Sequence, residues 1–300
     1  MGATDGRHDE ERRAVEVARA ITGQLVEEAS PLTGGEVNAA YRVRTASEDL
    51  VVRWVRGERA SWHPDLAGEV AAMRLAATIG VPCPVVRFYD DEVLVTDYIE
   101  GAPMTEQQAA SGLALEAGRL FGQLHAHIGR GCGPVQADGS DPGWPTNVFT
   151  QSVASEAEEV LARAERLPAE LDPSDVATAA ELVEGLDLPL RARLVHGDAS
   201  LTNTLVADDK VVAILDFEVA WLADPAIDLA WWWWNSPATA GDFQRGCTEA
   251  SETTDERRLW LHRLRLLIGL AHAFAHVDVS RAARIGRLLR VAIDRANDLG

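Results

Sequence analysis

Three oxygen-bearing side chains in the second half of the chain stand in an order that suits one kind of chemistry. Asp198 lies in the run Leu194-Val195-His196-Gly197-Asp198-Ala199-Ser200-Leu201-Thr202-Asn203, on a loop after a short apolar strand, with Asn203 five residues later. Asp216 ends a second apolar strand, Val211-Val212-Ala213-Ile214-Leu215, and precedes Phe217 and Glu218. A carboxylate on a loop can accept the proton of an attacking hydroxyl, and a carboxamide and a second carboxylate are hard oxygen donors suited to magnesium. Transfer of a phosphoryl group requires those parts. Taken singly, each has a plainer explanation: His-Gly-Asp arises by chance, an Asp ending a strand is commonly a turn residue, and an Asn in a loop is commonly a cap. Their conjunction, in order and between apolar strands, is what points to a site. Glu218 is a rival to Asp216, because two residues on in a continuing strand it would lie on the same side.

The Asp-to-Asn spacing is that of the kinase catalytic loop, in which the Asp is the base and the Asn holds a metal. Other residues agree with that reading. Arg53 sits in mid-strand in Val51-Val52-Arg53-Trp54-Val55. A charge among apolar strand residues needs a partner or a phosphate, and Glu69 on the following helix is the natural partner. The pair would stand for the lysine–glutamate ion pair of kinases, with Arg in place of Lys. The alternative is a surface strand with Arg53 turned to water. Gly34-Gly35 lies in a turn-rich loop before the first hairpin, where a loop covering phosphates would lie.

The elements that must position these residues are legible as patterns. Residues 9–24 read as an amphipathic helix. Residues 40–45 and 50–55, joined by Ser47-Glu48-Asp49, read as a hairpin. Residues 64–79 read as a helix opened by Pro64-Asp65 and stopped by Pro82 and Pro84. Short strands follow near 85–89 and 92–98. Beyond Gly101 the periodicity is helical over 105–128 and 152–186, with a Gly- and Pro-rich loop at 130–146, a β-rich block at 193–219 and helices after it. The expected organisation is an α+β, bilobal arrangement, with a small β-rich N-lobe over residues 1–100 and a larger helical C-lobe over 101–300.

With these residues in view, the sequence resembles the aminoglycoside phosphotransferase family, the group of small-molecule kinases that includes choline kinases and macrolide phosphotransferases. The matching segments are His196-Gly197-Asp198 with Asn203, Asp216-Phe217-Glu218, Asp224-Pro225 with Asp228, Phe121-Gly122-Gln123-Leu124-His125, and the hinge-like strand Val93-Leu94-Val95-Thr96-Asp97-Tyr98-Ile99-Glu100-Gly101. The resemblance spans roughly residues 30–235. It implies a protein-kinase-like fold, ATP and Mg2+ as cofactors, and an active site in the cleft between the lobes. By the same resemblance Asp198 is the base, Asn203 and Asp216 hold the metal, Arg53 and Glu69 position the α- and β-phosphates with Gly34 and Gly35 nearby, and backbone groups near Thr96 and Tyr98 meet adenine. His196 is expected to pack under the loop.

Gly197 stands where protein kinases carry the Arg that pairs with a phosphorylated activation loop, and only eight residues separate Asp216 from Asp224. That leaves no room for an activation loop or a peptide platform, so the expected acceptor is a small molecule. Asp228 is expected either to anchor the catalytic loop or to touch the substrate. The run Trp231 to Trp234 must cover every face of a helix. Its bland role is core packing; its functional role would be to wall a substrate pocket, with Trp231 and Trp234 as the contacts.

Net charge is −19 over 300 residues, which disfavours nucleic acid and anionic membranes as partners. It favours a cationic small-molecule substrate, foremost an antibiotic of aminoglycoside type. A macrolide, an amino alcohol or a sugar is the alternative, and an inactive nucleotide-binding scaffold a remote one. Three scattered cysteines, Cys83, Cys132 and Cys247, form no disulfide framework and suit the cytoplasm. The N-terminus has no apolar core of a signal peptide, and Leu259–Val277, interrupted by Arg263, Arg265 and histidines, reads as a buried helix rather than a membrane span.

Overall fold

The computed structural model describes residues 3–32, 38–55, 65–140, 142–145, 148–184, 186, 192–252, 254–274 and 278–300. They form two compact units: Met1–Met104 with Pro134–Ser140 and Thr202–Ala220, and Thr105–Gly133 with Asp141–Leu201 and Trp221–Gly300. A linear division after residue 100 would put everything downstream in the second part. Thr202–Ala220 belongs instead to the first, because main-chain pairing joins the strand Ala102–Pro103 to Thr204–Ala207.

The first unit is built on a five-stranded antiparallel sheet. Its strands lie in the order Val26–Pro31, Asn38–Thr45, Asp49–Val55, Val93–Asp97, Val86–Tyr89. Strand alternation decides what each face does. Leu50, Val52, Trp54, Val93 and Val95 pack with Ala14 and Ala18 of the helix Ala3–Thr22, whose small side chains let it lie close to the sheet. Val51, Arg53, Leu94 and Thr96 therefore turn to the opposite face. The helix Leu66–Thr78 opens where Asp65 accepts the Gly68 N–H at 2.7 Å. A second sheet holds the hairpin of Thr204–Ala207 and Lys210–Ile214. Its turn residues Asp208 and Asp209 have φ of 48° and 54°, the conformation of a two-residue turn that matches the right-handed twist of the strands.

The second unit is mainly helical. The strand Arg193–Val195 pairs antiparallel with Trp221–Ala223, and helices surround this short ribbon. The single helix expected over 152–186 is two, Val148–Leu161 and Pro173–Val183, since Asp172 caps a new start by accepting the Ser174 N–H at 2.8 Å. The helix expected over 105–128 is likewise interrupted at Gly112, whose φ is +117°, and resumes as Ala114–Ala126. The apolar stretch from Leu259 does form a core helix, Glu256–Phe274, with Leu264, Leu267 and Ile268 fully buried. Among the described residues no helix is long and apolar enough to cross a membrane.

The helix Ala114–Ala126 crosses Ala240–Ala250 at backbone contact. A Cβ added to Gly118 would lie 2.2 Å from the Phe243 carbonyl oxygen, and one added to Gly246 would lie 2.2 Å from that of Leu115. Gly246→Ala is therefore expected to overpack the crossing, destabilise the fold by about 1–3 kcal/mol and lower the thermal midpoint. An unchanged midpoint in a thermal melt would contradict this contact.

Candidate active site

In the first unit the chemistry gathers around one guanidinium. Arg53 leaves the sheet on the face away from the helix Ala3–Thr22 and forms an ion pair with Glu69 of the helix Leu66–Thr78. Its Nη1 lies 3.5 Å from Glu218 Oε2 and 3.9 Å from Asp216 Oδ1. The Arg53 side chain is only 15% exposed and that of Glu69 2%, so the surface-strand alternative for Arg53 is excluded. Burial works against the charge, but the carboxylates of Glu69, Asp216 and Glu218 outweigh it and hold the Arg53 pKa above its ordinary value. The planar guanidinium meets the helix carboxylate with one arm and lies near the Asp216–Glu218 pair with the other.

The second hairpin places the proposed metal ligands. The Leu215 N–H donates to the Asn203 carbonyl at 2.8 Å, extending the ladder one step beyond the Ile214–Thr204 pair. Asn203 and Asp216 are thereby held on adjoining strand ends. Asp216 has a φ of 63°, a left-handed conformation costly for a residue with a side chain, and such conformations collect at functional sites. Its side chain is 39% exposed against 19% for Glu218. Both carboxylates reach Arg53, so the rivalry noted in the sequence becomes a shared environment.

The hinge-like strand behaves differently from expectation at one point. Thr96 is buried and paired with Val51. The Asp97 N–H is taken by the Val85 carbonyl, and the Tyr98 N–H donates to Asp49 at 2.9 Å. The Tyr98 ring lies under the Arg42 guanidinium at 3.7 Å. The Tyr98 amide is thus committed within the sheet and is withdrawn as a donor to adenine. Gly34 and Gly35 lie outside the described residues.

In the second unit a fully buried carboxylate, Asp228, organises the loop that carries Asp198. Asp228 Oδ1 accepts the Gly197 N–H at 2.7 Å, and Oδ2 accepts the His196 N–H at 3.0 Å and lies 2.8 Å from His125 Nε2. Burial alone would raise the Asp228 pKa; the hydrogen bond and charge of His125, with His196, more than offset it and hold the carboxyl below its usual range. Gly197 takes a φ of +85°, so the loop turns at a glycine and delivers its amide to Asp228. His196 is fully buried, with its ring 5.6 Å from that of Phe121, and its Nδ1 accepts the Asp198 N–H at 3.3 Å. The packing role expected of His196 is what is found. The substrate role considered for Asp228 is excluded by its burial: both oxygens are spent on the loop and on His125.

Asp224 starts the same helix, Ala226–Asn235, accepting the Ala226 N–H at 2.9 Å and pairing with Arg258, while His262 Nε2 lies 3.1 Å away. The tryptophan run divides by face. Trp232 stacks on Phe243 with centroids 4.1 Å apart and donates its indole N–H to Thr239. Trp233 and Trp234 enter the helical core, and Arg284 lies 4.0 Å over the Trp234 ring. Trp234 is only 7% exposed, which removes it as a pocket wall; Trp231 is the partly buried member. The helix register could have ranked these four. The partnerships of Arg258 and His262 had no sequence signal beyond residue type, and the segment holding His125 was noted without its partner, because these pairs join segments about 30 to 100 residues apart.

Comparison with known proteins agrees with this arrangement. Residues 28–261 match the profile described as the phosphotransferase enzyme family. A protein of Staphylococcus aureus named a probable ketoamine kinase is 32% identical over 105 residues, 34% of this chain and 33% of its own length, so the match spans about a third of that relative. A choline/ethanolamine kinase family protein from Mesorhizobium loti superposes with a TM-score of 0.67 at 21% identity, covering 97% of this chain and 98% of the other. A thermostable mutant of aminoglycoside phosphotransferase APH(4)-Ia, in a ternary complex with ADP and hygromycin B, superposes with a TM-score of 0.67 at 16% identity over 94% of this chain and 98% of the other. At these identities the structures establish a shared protein-kinase-like fold. With most of its length matching the family profile, the chain belongs to the phosphotransferase enzyme family.

Proposed function

We propose that this protein is a small-molecule kinase that transfers the γ-phosphoryl group of ATP, with magnesium, to a hydroxyl of its acceptor. The observation that carries the reading is the placement of Asn203 and Asp216 on adjoining strand ends, with Asp216 in a left-handed conformation beside Arg53. The donor set fits the metal: a carboxamide and a carboxylate are oxygen ligands, and magnesium is commonly held by one or two protein oxygens plus phosphates and water. Among the described residues no group of three His, Cys, Asp or Glu could hold a metal by itself. When bound, the ion would neutralise charge on the phosphates during transfer.

The chain's own residues supply the rest. Arg53, fixed by Glu69, would offer its second arm to the phosphates. Asp198, on a loop whose backbone is pinned on one side by Asp228, would accept the proton of the attacking hydroxyl. The base of the nucleotide would meet backbone groups beyond Tyr98, since the amides of Asp97 and Tyr98 are already used. Cys83, Cys132 and Cys247, the last two buried, are scattered and odd in number, form no disulfide framework and suit work in the cytoplasm.

For the acceptor we favour a cationic compound of aminoglycoside type. The net charge of −19 supports this, although several carboxylates of the helical unit are neutralised locally: Asp242 by Arg245, Glu249 by Arg119 and Glu252 by Arg193. The remaining excess would concentrate a polyamine.

Asp198→Asn is expected to lower kcat by about 10² to 10⁴ while nucleotide affinity holds; a variant keeping more than about a tenth of wild-type kcat would remove Asp198 as the base. Asp216→Ala is expected to abolish the magnesium dependence of ATP binding in calorimetry, and an unaltered dependence would transfer the role to Glu218. With an acceptor found by screening aminoglycosides, macrolides, amino alcohols and sugars, KM should rise with salt up to about 0.15 M, where screening length falls near 8 Å. A flat KM, or a neutral best acceptor, would refute the cationic reading.

A further inference from the structure

The helix Ala226–Asn235 reaches the Asp198 loop twice. Asp228, in its first turn, holds the amides of His196 and Gly197, the two residues before Asp198. Asn235, its last residue, donates from Nδ2 to the carbonyl of Ala199, the residue after Asp198, at 3.2 Å. Residues 228 and 235 are seven apart, two helical turns, and so lie on one stripe of the helix with Trp232 between them. Trp232 is fully buried, against Phe243 and the edge of Phe121, and Phe121 in turn packs on His196. One helix face therefore grips the loop on both flanks of Asp198, with an aromatic packing against the rest of the unit between the two grips.

We propose that Asn235 is a positioning residue for the phosphoryl-transfer reaction, completing a two-point clamp that fixes where the Asp198 carboxylate points. The proposal rests on the assignment of Asp198 as the base. The physical argument is that Asp228 holds the loop on the side before Asp198, through the amides of residues 196 and 197. The peptide group after Ala199 is the other end of the lever, and its carbonyl is tied by a part-buried neutral hydrogen bond to a rigid helix end. The helix end is itself fixed: Arg284 bonds the Trp234 carbonyl, and the Ser236 N–H donates to the Trp232 carbonyl at 2.7 Å. Ser236 also donates its hydroxyl to Glu106 at 2.6 Å. The clamp also explains the tryptophan run. Trp232, on the stripe of positions 228 and 235, packs on Phe243 and Phe121, while Trp233 and Trp234 enter the helical core, and this holds the helix rotation that keeps positions 228 and 235 on the loop. Because geometric error at a catalytic group is expensive, a shift of about 1 Å can cost on the order of a hundredfold in rate.

The test compares Asn235→Ala with Asn235→Asp, which keeps the shape but replaces the donor by an acceptor. Three readouts are taken: amide hydrogen exchange over residues 198–201, the dissociation constant of ATP, and kcat for phosphate release from magnesium–ATP with water as acceptor. Both variants are expected to speed exchange in that segment by about tenfold, as loss of one hydrogen bond implies, and to lower kcat by tenfold or more with the ATP constant unchanged. Exchange and kcat both within twofold of wild type in a folded variant overturn the clamp. So does a weakened ATP constant with kcat at saturating ATP unchanged, which would mark a general structural role. Asp198→Asn, run in parallel, separates the two readings: if it remains active the base assignment fails, whereas an inactive Asp198→Asn beside a fully active Asn235→Ala refutes the clamp alone.

Discussion

A fully buried carboxylate is the interaction on which the loop carrying Asp198 depends. Asp228 is removed from water and keeps a depressed pKa only because two backbone amides and His125 converge on it. An ion at that depth is tolerated when its lone pairs are met with good geometry, and removing one partner of such a set typically costs about 3–5 kcal/mol. The conditions for that geometry spread outward through the unit. Gly197 must adopt a left-handed backbone, and His125 must project from the helix Ala114–Ala126. That helix must in turn lie at backbone distance from Ala240–Ala250, which Gly118 and Gly246 permit. Asp224, one turn earlier, fixes the start of the helix that presents Asp228, through Arg258 and the nearby His262.

The first unit is organised by a charge of the opposite sign. Arg53 is buried among three carboxylates, of which Asp216 is a candidate metal ligand and Glu218 its rival. The protein holds negative charge where a divalent cation is proposed to sit, and moderates it with a guanidinium already committed to Glu69. Such an arrangement neither discharges the ligands nor leaves them as an unscreened cluster. It is a site in which magnesium and phosphates would be more welcome together than either alone.

The tryptophan run shows how an unusual sequence feature can have an ordinary cause. Four consecutive large aromatics cannot all face one ligand, and here they are distributed between the loop side and the helical core. Their bulk fixes the rotation of a helix whose ends bear the residues that touch the loop. The surface of Trp232, Trp233 and Trp234 is spent on holding geometry.

What the sequence by itself determined was the local chemistry and the elements nearest to it. The strand-bounded order of Asp198, Asn203 and Asp216, four of the five strands of the first sheet and the burial of Leu259 onward followed from spacing and periodicity, which local pattern encodes; the edge strand Val26–Pro31 did not. Arg53 and Glu69 were also legible, because two charges placed in apolar settings on consecutive elements can satisfy one another only by meeting. Tertiary structure alone decided the rest. It returned Thr202–Ala220 to the first unit through pairing with Ala102–Pro103. It withdrew the Tyr98 amide by bonding it to Asp49, and Asp228 and Trp234 as substrate contacts by burying them. It also brought His125, 103 residues away, onto Asp228. Each of these outcomes depends on which distant backbone or side chain arrives to fill a hydrogen-bonding or packing requirement. A residue's type states the requirement, but only the assembled chain names the partner.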